Sequence, residues 1–245
     1  MSSLCPYYAA EPHRPAINGE KPMPDILITD DGPVRTIRMN RPDKKNALTL
    51  PMYEAMAEAI GGSANNDTIR CLMIAGCPDV FCAGNDIGDF MKMAQGGALG
   101  EPILNFLHAL ARCEKPIVAS VNGNAVGIGA TMLLHCDHVV AGSNAKLSTP
   151  FVALGLVPEA ASSLIAPRLM GHARAFALLV MGQPLNADEA KDAGIVNAVT
   201  APAATDAQAL AAAQAIAALP PQGVLAARRL MRGSAEEIAA RIDDE

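Results

Sequence analysis

The sequence predicts an α/β domain that ends in a helical region, and three observations support this fold class. Short β-like runs, such as residues 26–29 and 34–39, alternate with helical patterns in a strand–strand–helix rhythm through residues 26–140. After Glu159 the patterns are helical and rich in alanine. Residues 1–24 contain five prolines and no periodicity, which indicates an irregular arm outside the fold.

The composition favours a globular protein. Of the 245 residues, 51% are apolar and 18% are charged, which is enough to bury a sizeable core. The net charge of −6 argues against a nucleic-acid-binding surface, and no run of eighteen apolar residues would span a membrane. The six cysteines show neither CxxC nor zinc-ligand spacing, so reduced thiols are expected. These features predict a cytoplasmic protein.

The most informative stretch runs from Asn122 to Glu159. It follows a β-like run over residues 116–121, and it contains glycines at positions 123, 127 and 129. Glycine allows a tight turn and a close approach of the backbone to a ligand. Where such a turn leads into a helix, the first N–H groups lack intrahelical partners and can bind an anion. The anion is either a phosphate bound at rest or an oxygen that becomes negative only during a reaction.

The pattern of glycines favours the second alternative. The segment Gly127-Ile-Gly129-Ala-Thr-Met132 lacks the final small residue of the dinucleotide fingerprint, and no Walker lysine follows. A second glycine turn, Cys82-Ala-Gly-Asn-Asp86, comes after another β-like run. Two N–H groups from separate loops can converge on one oxygen atom and form an oxyanion hole. The sequence gives no distance between the turns, so each is also compatible with a purely structural role.

Two polar clusters have alternative interpretations. The basic run fits either a solvated surface or an anion site and comprises Arg35, Arg38, Arg41, Lys44 and Lys45. The run His135-Cys136-Asp137-His138 contains groups that bind metals or act in catalysis. No further ligand cluster lies nearby in the sequence, so local packing and hydrogen bonding are favoured over a metal site.

Glu159 is the strongest candidate for a reactive side chain. A glutamate at the start of a helical pattern often only complements the helix dipole. Residues 147–166 contain no other acidic residue, however, and the only adjoining basic residue is Lys146. A carboxylate in such an apolar stretch is expected to be desolvated, which raises its pKa toward that of a useful base.

Together these motifs resemble the enoyl-CoA hydratase/isomerase (crotonase) superfamily over roughly residues 24–240. The matching segments are Asn40-Arg-Pro-Asp-Lys-Lys-Asn-Ala-Leu48, Phe81-Cys-Ala-Gly-Asn-Asp-Ile87, residues 121–129, Cys136-Asp137, Leu154-Gly-Leu-Val-Pro158 and residues 182–196. The resemblance implies a crotonase-like spiral of repeated ββα units over residues 25–198. It also implies a helical C-terminal trimerisation region over residues 199–245, which appears shorter than in relatives.

The resemblance further implies a coenzyme A thioester as substrate, no separate cofactor or metal, and a homotrimer or dimer of trimers. The thioester oxygen would bind the N–H groups of Asn85 and Ile128. The residues expected to contact the substrate are Lys44, Lys45 and Ala47 near the nucleotide, Ala83, Gly84, Asp86 and Ile87 along the pantetheine and thioester, and Gly127 and Phe151 around the acyl group.

The residues over the acyl group set the reaction within this superfamily. The two hydratase glutamates are replaced here by Thr131 and Phe151. Glu159 instead stands where a single glutamate is the base in peroxisomal-type Δ3,Δ2-enoyl-CoA isomerases and their bacterial relatives. The resemblance therefore implies a shift of a C3=C4 double bond to C2=C3. A hydratase-like reaction that uses Glu159 alone and a non-catalytic acyl-CoA-binding protein stay as alternatives.

Overall fold

A computed structural model of the protein describes residues 23–89 and 100–245. The predicted N-terminal arm therefore lies almost wholly outside the described residues, as does the predicted Gly96-Gly97 break of a helix over residues 87–112. The strands in chain order are β1 (Ile26–Asp31), β2 (Val34–Met39), β3 (Cys71–Ala75), β4 (Val80–Cys82), β5 (Ile117–Val121), β6 (Asn124–Val126), β7 (His138–Gly142), β8 (Lys146–Ser148), β9 (Leu185–Asn186) and β10 (Ala198–Thr200).

The helices surround these strands. In chain order they are α1 (Leu50–Gly61), α2 (Glu101–Arg112), α3 (Ile128–Thr131), α4 (Ser162–Met170), α5 (His172–Leu179), α6 (Ala187–Asp192), α7 (Thr205–Ala217), α8 (Pro221–Arg232) and α9 (Ala235–Asp244).

The strands form two sheets. The larger sheet has the order β1-β2-β3-β5-β7-β10, and the smaller has the order β4-β6-β8-β9. β1 and β2 form an antiparallel hairpin, and the remaining pairs of the larger sheet are parallel. The consecutive strands of each later unit, β3 and β4, β5 and β6, and β7 and β8, divide between the two sheets. This repeated arrangement, with helices after the strands, confirms the predicted spiral of ββα units.

Burial explains why the central strands read as continuous apolar runs. β3 and β5 are buried along their whole length, as expected for parallel strands that are covered on both faces. Helices α1 and α2 cover one face and contribute Met52, Met56 and Phe106 to the core. On the opposite face, α7 packs three alanines spaced four residues apart against Val34, Met73 and Val118; the alanines are Ala209, Ala213 and Ala217. This alanine-rich face therefore covers the protein's own sheet.

The sequence patterns after Glu159 indicate helices almost throughout. The structure differs from this prediction, because β9 and β10 lie within the region. β10 adds a three-residue edge to the larger sheet beside β7, with Ala198 opposite Val140. A strand this short has too few residues to show a period, so only its tertiary pairing defines it. Helix α9 lies within the predicted helical C-terminal region, but the sequence patterns do not delineate it, although the Ser234 side chain accepts a hydrogen bond from the N–H of Glu237 at its start. A serine three residues before a glutamate is a recognised helix-start signal.

No single helix among the described residues is long and apolar enough to cross a membrane. The helices Pro202–Ala217 and Pro221–Arg232 meet the length and composition criteria only when taken together. The chain bends by 107° between them.

Candidate active site

The smaller sheet brings the two glycine turns side by side. β4 and β6 pair in parallel, with Cys82 opposite Ala125, so both strands end at the same edge of the sheet. The turns that follow are in close contact. A Cβ atom added to Gly84 would lie 3.2 Å from the carbonyl oxygen of Val126, and one added to Gly129 would lie 2.8 Å from Cβ of Cys82. The structure therefore supplies the proximity that the sequence leaves open.

Each turn uses glycine to point an N–H group away from the strand. Gly84 has φ +94° and Gly127 has φ +55°, which side chains with a Cβ atom disfavour. Asn85 and Ile128 follow these glycines. Among residues 23–89 and 100–245, neither of their N–H groups donates to a protein acceptor. The neighbouring N–H of Asp86 is paired, since it donates to the carbonyl of Leu48 at 2.9 Å. The two predicted oxyanion donors are therefore available to a ligand.

Glu159 faces the second of these turns. A Cβ atom added to Gly127 would lie 3.8 Å from Oε1 of Glu159 and 3.9 Å from the ring of Phe151. Glu159 is half-buried as a residue, but its carboxyl group is enclosed by protein atoms. Burial raises the pKa of Glu159 to about 7, and the negative charge of Glu245 adds to the shift. The predicted base therefore has a pKa suited to proton transfer at neutral pH.

The helix after Glu159 begins later than the sequence predicts. The pattern indicates a start at Ala160, whereas α4 begins at Ser162. Ala160 and Ala161 instead adopt left-handed conformations, with φ of +63° and +53°. Glu159 thus precedes the first turn of the helix, where the effect of the helix dipole is weaker.

Hydrogen bonds from distant parts of the chain hold this left-handed turn. Nε2 of His135 lies 2.8 Å from the carbonyl oxygen of Ala160 and donates to it. Burial, reinforced by the charge of Arg232, lowers the pKa of His135 to about 4, so the ring is neutral. On the other side of the turn, the N–H of Ala161 donates to Oε2 of Glu245 at 2.6 Å. Sequence reasoning missed this function of Glu245.

The structure shows local hydrogen bonds at residues 135–138, as the sequence predicts. Besides the bond from His135, the carboxylate of Asp137 accepts from the N–H of Ile117 and from Arg228, both at 2.8 Å. The described part of the chain contains no group of three or more His, Cys, Asp or Glu side chains that could hold a metal ion.

Asn85 is anchored by a buried tyrosine. Tyr53 on α1 is almost fully buried, its hydroxyl donates to Oδ1 of Asn85, and its ring packs against Phe106 with centroids 5.4 Å apart. Burial, and then the nearby charge of Glu159, raises the pKa of Tyr53 well above its usual value, so the phenol keeps its proton. Sequence reasoning also missed Tyr53. The feature of the sequence that could have identified Tyr53 is a tyrosine among apolar residues at helical spacing, because a buried tyrosine usually requires a hydrogen-bond partner.

The loop over residues 40–48 lies against the first turn. The N–H of Leu48 donates to the carbonyl of Gly84 at 2.8 Å, and the N–H of Ala83 donates to the carbonyl of Lys45 at 3.0 Å. Lys44 and Lys45 are exposed, while Ala47 is half-buried. Neither ammonium group has an acidic partner in the described ranges. The two lysines are thus free to bind an anion beside the turn.

The arginines of the same basic run form ion pairs instead. Arg41 lies 2.8 Å from Asp86, and its hydrogen bond is the main cause of the lowered pKa of the Asp86 carboxyl group. The other two pairs, Arg35 with Asp30 and Arg38 with Asp206, also have nitrogen–oxygen distances of 2.8 Å. The arginines of the run therefore have structural partners, and an anion site at the two lysines stays a prediction. Of the two adjacent residues predicted to contact the substrate, Asp86 stabilises the loop through its ion pair with Arg41. The side chain of the other, Ile87, is 75% exposed.

Comparison with known proteins identifies the class to which this fold and site belong. The family described as enoyl-CoA hydratase/isomerase matches residues 30–242. The structure of OdaA from Pseudomonas aeruginosa is 42% identical, superposes with a TM-score of 0.86, and aligns over 90% of both chains. The chain belongs to the enoyl-CoA hydratase/isomerase family.

Two of the curated relatives are named as isomerases. Enoyl-CoA delta isomerase 2 of Rattus norvegicus is 34% identical over 225 residues, which are 90% of this chain and 57% of the rat protein. The 1,2-epoxyphenylacetyl-CoA isomerase of Escherichia coli is 36% identical over 177 residues, which are 70% of this chain and 68% of that protein. The chain thus spans little more than half the length of the rat relative.

Proposed function

We propose that the protein is an enoyl-CoA isomerase that moves a C3=C4 double bond to C2=C3 of an acyl-CoA. The observation that carries this proposal is the enclosed carboxylate of Glu159 opposite the turn of Ile128. Thr131 and Phe151 occupy the positions at which a hydratase would carry its two glutamates. The isomerases among the relatives lend further support.

The proposed reaction needs one base and one oxyanion site. The N–H groups of Asn85 and Ile128 hold the thioester oxygen while Glu159 removes a proton from C2. The electrons of the broken C2–H bond move onto that oxygen, which gives a dienolate. Glu159 then returns the proton to C4, the C2=C3 bond forms and the carbonyl is restored. One carboxyl group suffices because C2 and C4 lie on the same side of the planar dienolate.

The remaining predicted contacts position the coenzyme A portion of the substrate. Lys44 and Lys45 would bind the nucleotide phosphates, which is supported by their exposure and by the absence of acidic partners within the described ranges. Residues 83–87 would follow the pantetheine arm. The reaction requires no redox cofactor or metal, since the thioester itself accepts the electrons. A trimer or dimer of trimers is proposed on the family resemblance.

Supplying 3-enoyl-CoA and 2-enoyl-CoA separately to the purified protein tests the reaction. We expect conversion of the 3-enoyl thioester and no water addition to the 2-enoyl thioester. Glu159→Gln should lower kcat by about 10²–10⁴-fold with binding retained, the range typical of a general base. Hydration of 2-enoyl-CoA that is lost in the same variant would favour the hydratase alternative. Retained turnover by Glu159→Gln would exclude Glu159 as the base.

A further inference from the structure

The backbone that follows Glu159 adopts a conformation that its sequence disfavours. Ala160 and Ala161 are consecutive left-handed residues, and alanine enters this region at a steric cost because of its Cβ atom. Such a conformation persists only where surrounding interactions hold it in place. The direction in which Glu159 points depends on this turn, so the groups that hold the turn determine where the carboxylate lies.

The carboxylate of Glu245 binds the turn through three donors. Its Oε2 atom accepts from the N–H of Ala161 at 2.6 Å, and its Oε1 atom accepts from the N–H of Ser163 at 3.0 Å. The hydroxyl of Ser163 donates to the same Oε1 atom. N–H groups at the start of a helix lack intrahelical partners, so Glu245 satisfies donors of α4 that would otherwise be unpaired.

Glu245 reaches the turn from a firmly packed helix. Ile238 and Ile242 of α9 are buried in the main core. Asp243 lies 2.9 Å from Nε2 of His108 on α2, and Glu237 forms a two-bond pair with Arg168 on α4 at 2.6 and 3.0 Å. Helix α9 therefore fixes the position of Glu245 relative to the site.

We propose that Glu245 is a positioning residue for the reaction, because its carboxylate holds the left-handed turn behind Glu159 through hydrogen bonds from Ala161 and Ser163. This inference rests on the proposed function, in which Glu159 is the base.

The charged groups around the two carboxylates agree with this assignment. Glu245 is the charged group that, after burial, raises the pKa of Glu159. The guanidinium of Arg241 lies on the far side of the contact, where it donates to the hydroxyl of Ser163 at 3.2 Å. Around Glu159 itself stand the buried Tyr53 and Cys82, and burial raises the pKa of both groups.

Glu245→Gln is the central test, because it keeps the size of the side chain while removing its charge and one of its acceptor oxygens. Glutamine presents an N–H₂ group to one of the backbone donors, so the turn loses a hydrogen bond. We expect kcat to fall about tenfold or more with KM changed less than about twofold, because an interaction that acts through Glu159 affects the reaction more than binding. Asp244→Asn is the matched control, since Asp244 lines a 380 Å³ cavity together with Glu245 but pairs with Arg241 at 3.9 Å and forms no hydrogen bond with the turn.

A titration that does not depend on turnover separates this inference from the proposed function. The side-chain carboxyl carbons of glutamate are labelled with ¹³C, and Glu159→Gln identifies the resonance of Glu159. In Glu245→Gln the midpoint of Glu159 should fall by about half a pH unit or more, whereas in Asp244→Asn it should not move. An unchanged midpoint together with an unchanged kcat would overturn the inference. Turnover by Glu159→Gln would overturn the proposed function, whereas a lowered midpoint of Glu159 in Glu245→Gln would still show that Glu245 acts on Glu159.

Ser163→Ala provides the same test if Glu245→Gln does not fold. This substitution removes one hydrogen bond to Glu245 and leaves both carboxylates in place. We expect kcat to fall about twofold to fivefold with KM unchanged, in keeping with the modest net strength of one hydrogen bond to a charged group. Wild-type kcat in a folded Ser163→Ala protein would contradict the positioning function.

Discussion

At the scale of single residues, the site depends on one carboxyl group whose proton is held more tightly than usual. Burial is the main cause, because removal from water destabilises the charged form of Glu159 more than the neutral form. The helix dipole, which would act in the opposite direction, is weakened because α4 begins only at Ser162. The balance between these effects gives a carboxyl group whose pKa of about 7 suits the base of the proposed reaction.

The pH dependence of kcat/KM should report this pKa directly. Since the proposed base acts in its deprotonated form, kcat/KM should rise with pH and level off above a midpoint near the value of about 7 for Glu159. Well below the midpoint it should fall about tenfold for each pH unit. Initial rates with 3-enoyl-CoA between pH 5 and pH 9 supply the measurement. A flat profile over this range would contradict the assignment of Glu159.

A second prediction concerns Tyr53. Removing its hydroxyl in Tyr53→Phe leaves Oδ1 of Asn85 without its donor, which allows the first oxyanion turn to shift. We expect a loss of about 1–2 kcal/mol of stability and a drop of about tenfold in kcat. Ser63→Ala is the matched control, because the buried hydroxyl of Ser63 donates to the carbonyl of Ile60 away from the site. Equal effects of the two variants on kcat would exclude a specific function of Tyr53.

At the scale of structural elements, the site is assembled by pairs of parallel strands in the smaller sheet. β4 and β6 each end in a glycine turn, and their pairing fixes the two N–H groups relative to each other. Because the donors belong to the backbone, side-chain substitution cannot remove them. Their direction depends on the φ angles of Gly84 and Gly127.

Gly127→Ala tests the importance of that direction. The added Cβ atom would meet Glu159 and Phe151 at 3.8 and 3.9 Å, which is ordinary contact distance, so the strain arises from the backbone conformation. We expect kcat to fall about 10²–10³-fold, as for the loss of one oxyanion donor. Gly32→Ala places an alanine at the same positive φ, +55°, in the β1–β2 turn, where nothing lies within 4 Å. That control should lose stability and keep its kcat.

At the scale of the whole molecule, the buried base should reduce stability at neutral pH. The folded-state pKa of Glu159, about 7, lies above the ordinary value of 4.5, so the native state holds this proton more tightly than the unfolded chain. Its contribution to stability is therefore fully present below pH 4.5 and is lost as the pH rises through 7. Each pKa unit corresponds to about 1.4 kcal/mol.

Denaturation of Glu159→Gln across pH should reveal this cost. The variant should match the wild type at pH 4 and exceed it by on the order of 2–3 kcal/mol at pH 8. Urea titrations at the two pH values give the difference. Glu54→Gln, on the exposed face of α1, is the control and should show no such gain. Equal stability of Glu159→Gln and the wild type at pH 8 would mean that Glu159 is not held in a desolvated site.

Much of this organisation can be predicted from the sequence, since it is encoded in local patterns. Glycine spacing and apolar runs predict the two turns, and the scarcity of charge around Glu159 predicts its raised pKa. The supporting contacts cannot be predicted in this way. Tyr53 and Asn85 are 32 positions apart, His135 and Ala160 are 25 apart, and Glu245 is 84 positions from Ala161. Such contacts depend on how the helices pack, which no local pattern records.

The pair of left-handed alanines also affects the rigidity of the site. Glycine would enter the same conformation without steric cost, but it would also give the chain more conformational freedom. With alanine at positions 160 and 161, fewer alternative backbone geometries are open to the segment once the surrounding contacts have formed. The segment thus combines a strained backbone with a narrower range of orientations of Glu159, which suits the proposed proton transfers at C2 and C4 of one substrate.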